Sequence, residues 1–248
     1  MGPTIGSARF AAWTSIWGAA IGVAITPFMA AVWAYEPGVV WADLSPLVSV
    51  VGPTLESWGA LTFGNTPVFA ADGTVSGEST AYEVYGKVFF LVYLLMLPVV
   101  RHVHALHRAQ STSKWEGRTW RVLCMALILA CAGDAVSYWG ISAPGTVGDT
   151  LWRLGFLIEI VAVLSVLVTT TMYGMVTVRR RVVPRWGSVL LMAVVPMGVL
   201  TLIGVTAYVP NAVVVPMSLV WAGIGAWMLL NRQPDDPTLK PALQTRRV

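Results

Sequence analysis

The chain has 248 residues, of which 56% are hydrophobic and only 11% charged, and its mean hydropathy is +0.69. Soluble domains carry roughly 25% charged residues, so this balance excludes an ordinary water-soluble protein and points to a multi-span helical membrane protein. The net charge of +4 is no sign of a nucleic-acid partner, because the basic residues flank apolar runs, where membrane orientation accounts for them.

Apolar runs of about 20 residues predict transmembrane helices. The first covers Phe10 to Tyr35, the second Val84 to Leu106 and the third Trp120 to Trp139. The fourth covers Leu151 to Val178, the fifth Ser188 to Tyr208 and the sixth Ala212 to Leu230. The first follows Arg9 and is too long for the apolar core of a secretory signal, so it reads as a span. It also carries Gly18 and Gly22, a spacing that lets helices approach closely, within the bundle or between the protomers of a homo-oligomer.

The fold class expected is therefore all-α, a bundle of six transmembrane helices forming one domain over residues 1–231. A charged tail, residues 232–248, reads as disordered. Fourteen of the sixteen Lys and Arg residues lie at Arg9, around the second-to-third and fourth-to-fifth connections, or in the tail. Residues 36–83 hold six acids and no basic residue. The positive-inside rule then places both termini in the cytoplasm and the acidic loop outside the cell membrane. Within that loop, Val39 to Phe63 has apolar runs too short to span, broken by Pro46, Gly52 and Pro53. They suit short re-entrant or interfacial helices forming an outer cap.

In the second helix, His102, His104 and His107 fall at its predicted cytoplasmic end. His102 is rotated by about 200° from His104, and no acid or Cys stands beside them. They read as a basic flank facing anionic lipid rather than a metal site. Cys124 and Cys131 share the third helix, roughly 10 Å apart along its axis. That spacing is too long for a disulfide.

Two intramembrane acids carry the functional signal. Asp134 lies about 9 Å below the outer end of the third helix, and Glu159 about 13 Å below the outer end of the fourth. The connecting turn is short, so the two helices should be antiparallel neighbours. Lys87 and Arg153, the two basic residues outside the cytoplasmic pattern, are predicted at the same outer end. Tyr85, Tyr138, Trp139 and Trp152 are predicted in that layer as well. An acid in hydrocarbon is costly and normally has a function.

Between the fourth and fifth helices the chain reads Arg179-Arg180-Arg181-Val182-Val183-Pro184-Arg185-Trp186. This hairpin, with Tyr85-Gly86-Lys87-Val88-Phe89-Phe90 and the step Gly133-Asp134, resembles uncharacterised actinobacterial six-helix integral membrane proteins. The resemblance extends from Tyr85 onward. It implies the bundle and brings no activity with it.

The leading expectation is an integral membrane enzyme or binding protein acting on a lipid or isoprenoid-like substrate. Asp134 and Glu159 would be the acid and base. Lys87 and Arg153 would orient a head group, and Tyr85, Tyr138, Trp139 and Trp152 would hold an apolar or cationic moiety. Enzyme activity itself stays open. The same acids could serve a proton-coupled small-solute transporter or channel lined by Thr169, Thr170, Thr171 and Tyr173, or the charges could pair inertly in a structural or assembly subunit. Membrane lipid is the one partner common to these readings. No Walker A, HExxH, GxSxG or CxxC motif occurs, and no Lys lies deep in the last helix for a retinal Schiff base, so no cofactor or metal is expected.

Overall fold

Helices account for all the regular structure in the computed structural model, which describes residues 5–34, 80–109, 113–140, 142–205 and 210–230. Seven helices occur among these residues: α1 (Ile5–Ala34), α2 (Thr80–Ala109), α3 (Lys114–Gly140), α4 (Thr146–Arg180), α5 (Arg185–Met192), α6 (Val194–Val205) and α7 (Pro210–Leu230). Five of them, α1, α2, α3, α4 and α7, are long and apolar enough to cross a membrane. The outer cap expected within residues 36–83, Tyr208 and the tail lie outside the described residues, apart from the helical start of α2.

The helix ends follow local chemistry. Ser113 and Glu116 open α3 with a reciprocal capping pair. The Ser113 N–H donates to Glu116 Oε2 at 3.1 Å, and the Glu116 N–H donates to Ser113 Oγ at 3.2 Å, which satisfies two N–H groups that a helix start leaves open. The α3–α4 turn passes through Gly145 at φ 62° and ψ −145°, a conformation that residues bearing a Cβ rarely adopt. Arg181 ends α4 in the left-handed region, with its N–H on the Thr177 carbonyl at 2.9 Å. Pro184 then blocks continuation.

Where the sequence predicts one helix from Ser188 to Tyr208, the structure has α5 and α6 meeting at Ala193. Pro196 has no N–H to give the Met192 carbonyl, so one rung of the ladder is missing. Bonds from the Ala193 N–H to the Val189 carbonyl (3.0 Å) and from the Met197 N–H to the Ala193 carbonyl (2.9 Å) carry the chain across the break. Both α2 and α4 also begin earlier than their apolar runs, at Thr80 and Thr146. Lys87 and Arg153 accordingly lie two turns inside their helices rather than in the first turn.

Packing is antiparallel along the chain. α3 lies along α4, α2 packs on α3, and α1 packs against both α2 and α7. Gly18 and Gly22 of α1 face Val92 and Leu95 of α2, so this small face is used inside the bundle. The polar distribution is inverted relative to a soluble helix. On α4, Leu154, Leu157, Val161, Leu164, Val168 and Met175 are exposed, while Glu159, Thr170 and Tyr173 are buried. Such an apolar exterior far exceeds the patches that water-soluble monomers show. The protein is a multi-pass membrane-embedded helical bundle.

Candidate functional site

The α3–α4 joint is sealed by glycine. A Cβ on Gly133 would stand 2.6 Å from the Glu159 nitrogen and 2.9 Å from the Gly155 carbonyl oxygen. A Cβ on Gly155 would run into the backbone of Ser137 and Gly133. The two backbones therefore touch, as small residues permit between helices in a membrane. This contact sets the position of the neighbouring side chains, Asp134 beside Gly133 and Glu159 one turn beyond Gly155.

Both acids are interior: Asp134 is 0% exposed and Glu159 is 1% exposed. Their carboxyl groups are close neighbours on the facing helices. That contact becomes a bond only when one of them carries a proton. As two carboxylates, both Asp134 oxygens and Glu159 Oε2 have no donor among the described residues. Glu159 Oε1 accepts from the Tyr93 hydroxyl of α2 at 3.1 Å. The Phe90 backbone lies against Asp134, and Cys131, half-buried, is on the same side of α3. Ser137, fully buried one turn from Asp134, has a hydroxyl with no partner among the described residues. The site is a three-helix cluster of Tyr93, Asp134, Ser137 and Glu159.

The remaining predicted residues are placed differently. Tyr138 is buried and its ring fills the space left by Gly86 on α2. Lys87 Nζ donates to Ser142 Oγ at 2.8 Å and lies 5.9 Å from the centre of the Trp139 ring. Trp139 Nε1 donates to the Lys87 carbonyl at 3.1 Å while its ring is 60% exposed. These residues form a cluster beside the α3–α4 turn, nearer the end of the bundle than the acids. Trp152 stacks on Phe156 at 5.4 Å. Arg153 is exposed on the face of α4 opposite Gly155. The helix containing Tyr85 is described, and its side chain lies outside the described residues. The expected layer of four charges thus divides into a buried acid pair, a Lys87 cluster at the α3–α4 turn and an exposed Arg153.

Tyr93, like Ser137, is a site residue that no charge marks out in the sequence. It lies nine residues below Val84, about 13 Å at 1.5 Å per residue, which is the depth expected for Glu159. The same depth arithmetic applied to uncharged polar residues would have found it.

The histidines correct a second expectation. They are not a lipid-facing flank: His102, His104 and His107 are all buried. His107 Nδ1 is 2.7 Å from the Tyr173 hydroxyl, and His104 stacks on Trp120 with ring centres 4.1 Å apart. Inside a bundle an aromatic partner or a hydroxyl replaces the interface as the place for an imidazole. Among the described residues no group of three His, Cys, Asp or Glu could hold a metal ion. No family model, curated protein or solved structure matches the chain.

Proposed function

We propose that this protein is a proton-coupled transporter of a small solute, residing in the cell membrane, with the Asp134–Glu159 pair as its proton-binding site. One observation carries the reading: two fully buried carboxyl groups face each other on a glycine-sealed joint. A proton shared between two facing acids satisfies oxygens that otherwise have no donor, and its loss leaves two like charges together in apolar surroundings. Loading and unloading a proton therefore change the stability of the joint, which is what couples proton binding to helix movement in transport.

The full topology belongs to this proposal. α5 and α6 together make a sixth, kinked crossing, and the basic connections and both termini are cytoplasmic. The acid pair then lies in the outer half of the membrane. Kinship with the actinobacterial six-helix proteins is part of the same reading. The lipid-enzyme alternative needs room for a substrate beside the acids, and the close packing of α3 on α4 favours the proton reading over it.

The test is proton flux into vesicles of the purified full-length protein, driven by an imposed potential and followed with a trapped pH dye. Flux should be present in the wild type and lost in Asp134→Asn and Glu159→Gln. Infrared spectra should show a carboxylic acid band that responds to pH and is missing from Glu159→Gln. A wild type with neither flux nor that band overturns the proposal. Lipid or isoprenoid copurifying with such an inactive protein would turn the assignment to the lipid reading.

A further inference from the structure

A second buried polar layer repeats the geometry of the acid pair. Tyr93 of α2 bonds Glu159 of α4, and His107 of α2 meets Tyr173 of α4; each pair is separated by 66 residues in the chain. Equal separations mean that α2 and α4 run in the same direction, in constant register. The two layers are fourteen residues apart on each helix, about 21 Å at 1.5 Å per residue and within about 40° of the same face. Two long-side-chain bridges thus link the same two helices, one near the middle of both and one toward their C-terminal ends.

Between the bridges the facing positions are apolar. Met96 and Val100 of α2 and Ala162, Val163 and Val166 of α4 are all buried. Polarity returns one turn before the second bridge, with Thr170, whose hydroxyl donates to Met217 Sδ at 3.4 Å, and with His104. His104 is 6% exposed, and its Nδ1 has no partner among the described residues. Pro98, the proline inside α2, lies within the apolar stretch and removes the bond to the Leu94 carbonyl.

The geometry points to a second proton-binding site at His107 and Tyr173, with His104 beside it, serving the membrane face opposite to the acid pair. This inference rests on the proton reading above. An imidazole is the group suited to exchanging a proton with a neutral aqueous phase. The bond to Tyr173 supports both states. The tyrosine hydroxyl donates to Nδ1 of the neutral ring when the ring proton is on Nε2, and accepts from Nδ1–H once a second proton arrives. The proton is stored without breaking the bridge. The apolar layer keeps the two sites from exchanging protons directly, and Pro98 leaves α2 short of one backbone bond between them, so protons pass only as the bundle changes shape.

Other titratable groups stand near this pair among the described residues. α3 contributes Cys124 and Glu116, and α2 itself contributes His104 and Arg108. α7 contributes Trp221, which has no titratable group, with ring centres 6.4 Å from Tyr173. Arg9 of α1, Arg179 at the end of α4 and Arg185 of α5 are exposed at that end.

The experiment uses the full-length protein with ring-labelled histidine in lipid vesicles. Infrared difference spectra across the neutral range read histidine protonation, and dye flux reads transport. The wild type should show an imidazole signal that disappears in His107→Gln and survives in Glu159→Gln. Tyr173→Phe, which keeps the ring against Trp221, should move that signal. In both His107→Gln and Tyr173→Phe, flux should fall by roughly a hundredfold while the Glu159 carboxylic band remains. Folded variants of His107 and Tyr173 with wild-type flux and an unchanged histidine signal overturn the second site and leave the acid-pair proposal standing. A wild type with neither flux nor the Glu159 carboxylic band overturns the acid-pair proposal instead, and the labelled His107 signal still decides whether this site binds protons.

Discussion

Tyr93 and Glu159 show how one hydroxyl can matter inside a bundle. Replacing Tyr93 by Phe removes the donor to Glu159 Oε1 and keeps the ring against Phe89. The loss leaves a further buried carboxylate oxygen without a partner, a cost of about 1–3 kcal/mol. A lower unfolding temperature in detergent should report it. In a Glu159→Gln background the partner is neutral, so Tyr93→Phe should cost less than in the wild type. Equal effects in both backgrounds would show that the hydroxyl does not act through the carboxyl group. The acids themselves were legible because a charge within an apolar run stands out against its surroundings. Tyr93 was not, because an amphipathic ring in a membrane helix has many ordinary places to be.

For the helices, the α3–α4 joint makes the sharpest claim. Alanine is a better helix former than glycine by about 1 kcal/mol, so a Gly→Ala change in open space should stabilise. Gly117 on α3 has nothing near its missing Cβ, whereas Gly133 and Gly155 meet backbone atoms that cannot swing aside. Gly117→Ala is expected to raise stability by up to about 1 kcal/mol. Gly133→Ala and Gly155→Ala are expected to lower it by about 1–3 kcal/mol, the usual cost of overpacking, and to disrupt the acid pair. Detergent unfolding curves for the three variants measure the contrast, and a stable Gly155→Ala would remove the case for a sealed joint. The helices themselves could be read from their apolar runs, but not their first turns. Residues 80–83 and 146–150 are polar or small enough to be taken for loop, and helix geometry extends through them once the neighbouring turns are packed.

Across the described helices, large apolar side chains such as Leu157, Val161 and Leu164 face outward, while Asp134, Glu159 and the three histidines are buried within the apolar core. That pattern has meaning only in a bilayer, where apolar exteriors are solvated by lipid and buried polar groups must find one another. The proposed orientation can be checked by labelling. With Cys124 and Cys131 replaced by Ala, a cysteine at Ser142 should react with an impermeant maleimide in intact cells. One at Lys114, exposed at the start of α3, should react only after permeabilisation. The reverse pattern would invert the topology and put the acid pair in the inner half.

Composition, apolar run length and the placement of basic residues were enough to settle that this is a multi-span helical membrane protein with acids in its interior. These are one-dimensional properties, because the bilayer imposes a fixed thickness and a fixed charge asymmetry on any chain that crosses it. Which polar groups meet is a different matter. Tyr93 finds Glu159, His107 finds Tyr173, Lys87 turns to Ser142, and Arg153 is left exposed because of helix rotation and the closeness permitted by Gly133 and Gly155. A single residue of register rotates a side chain by about 100°, so only the packed tertiary structure could decide which charges share a site.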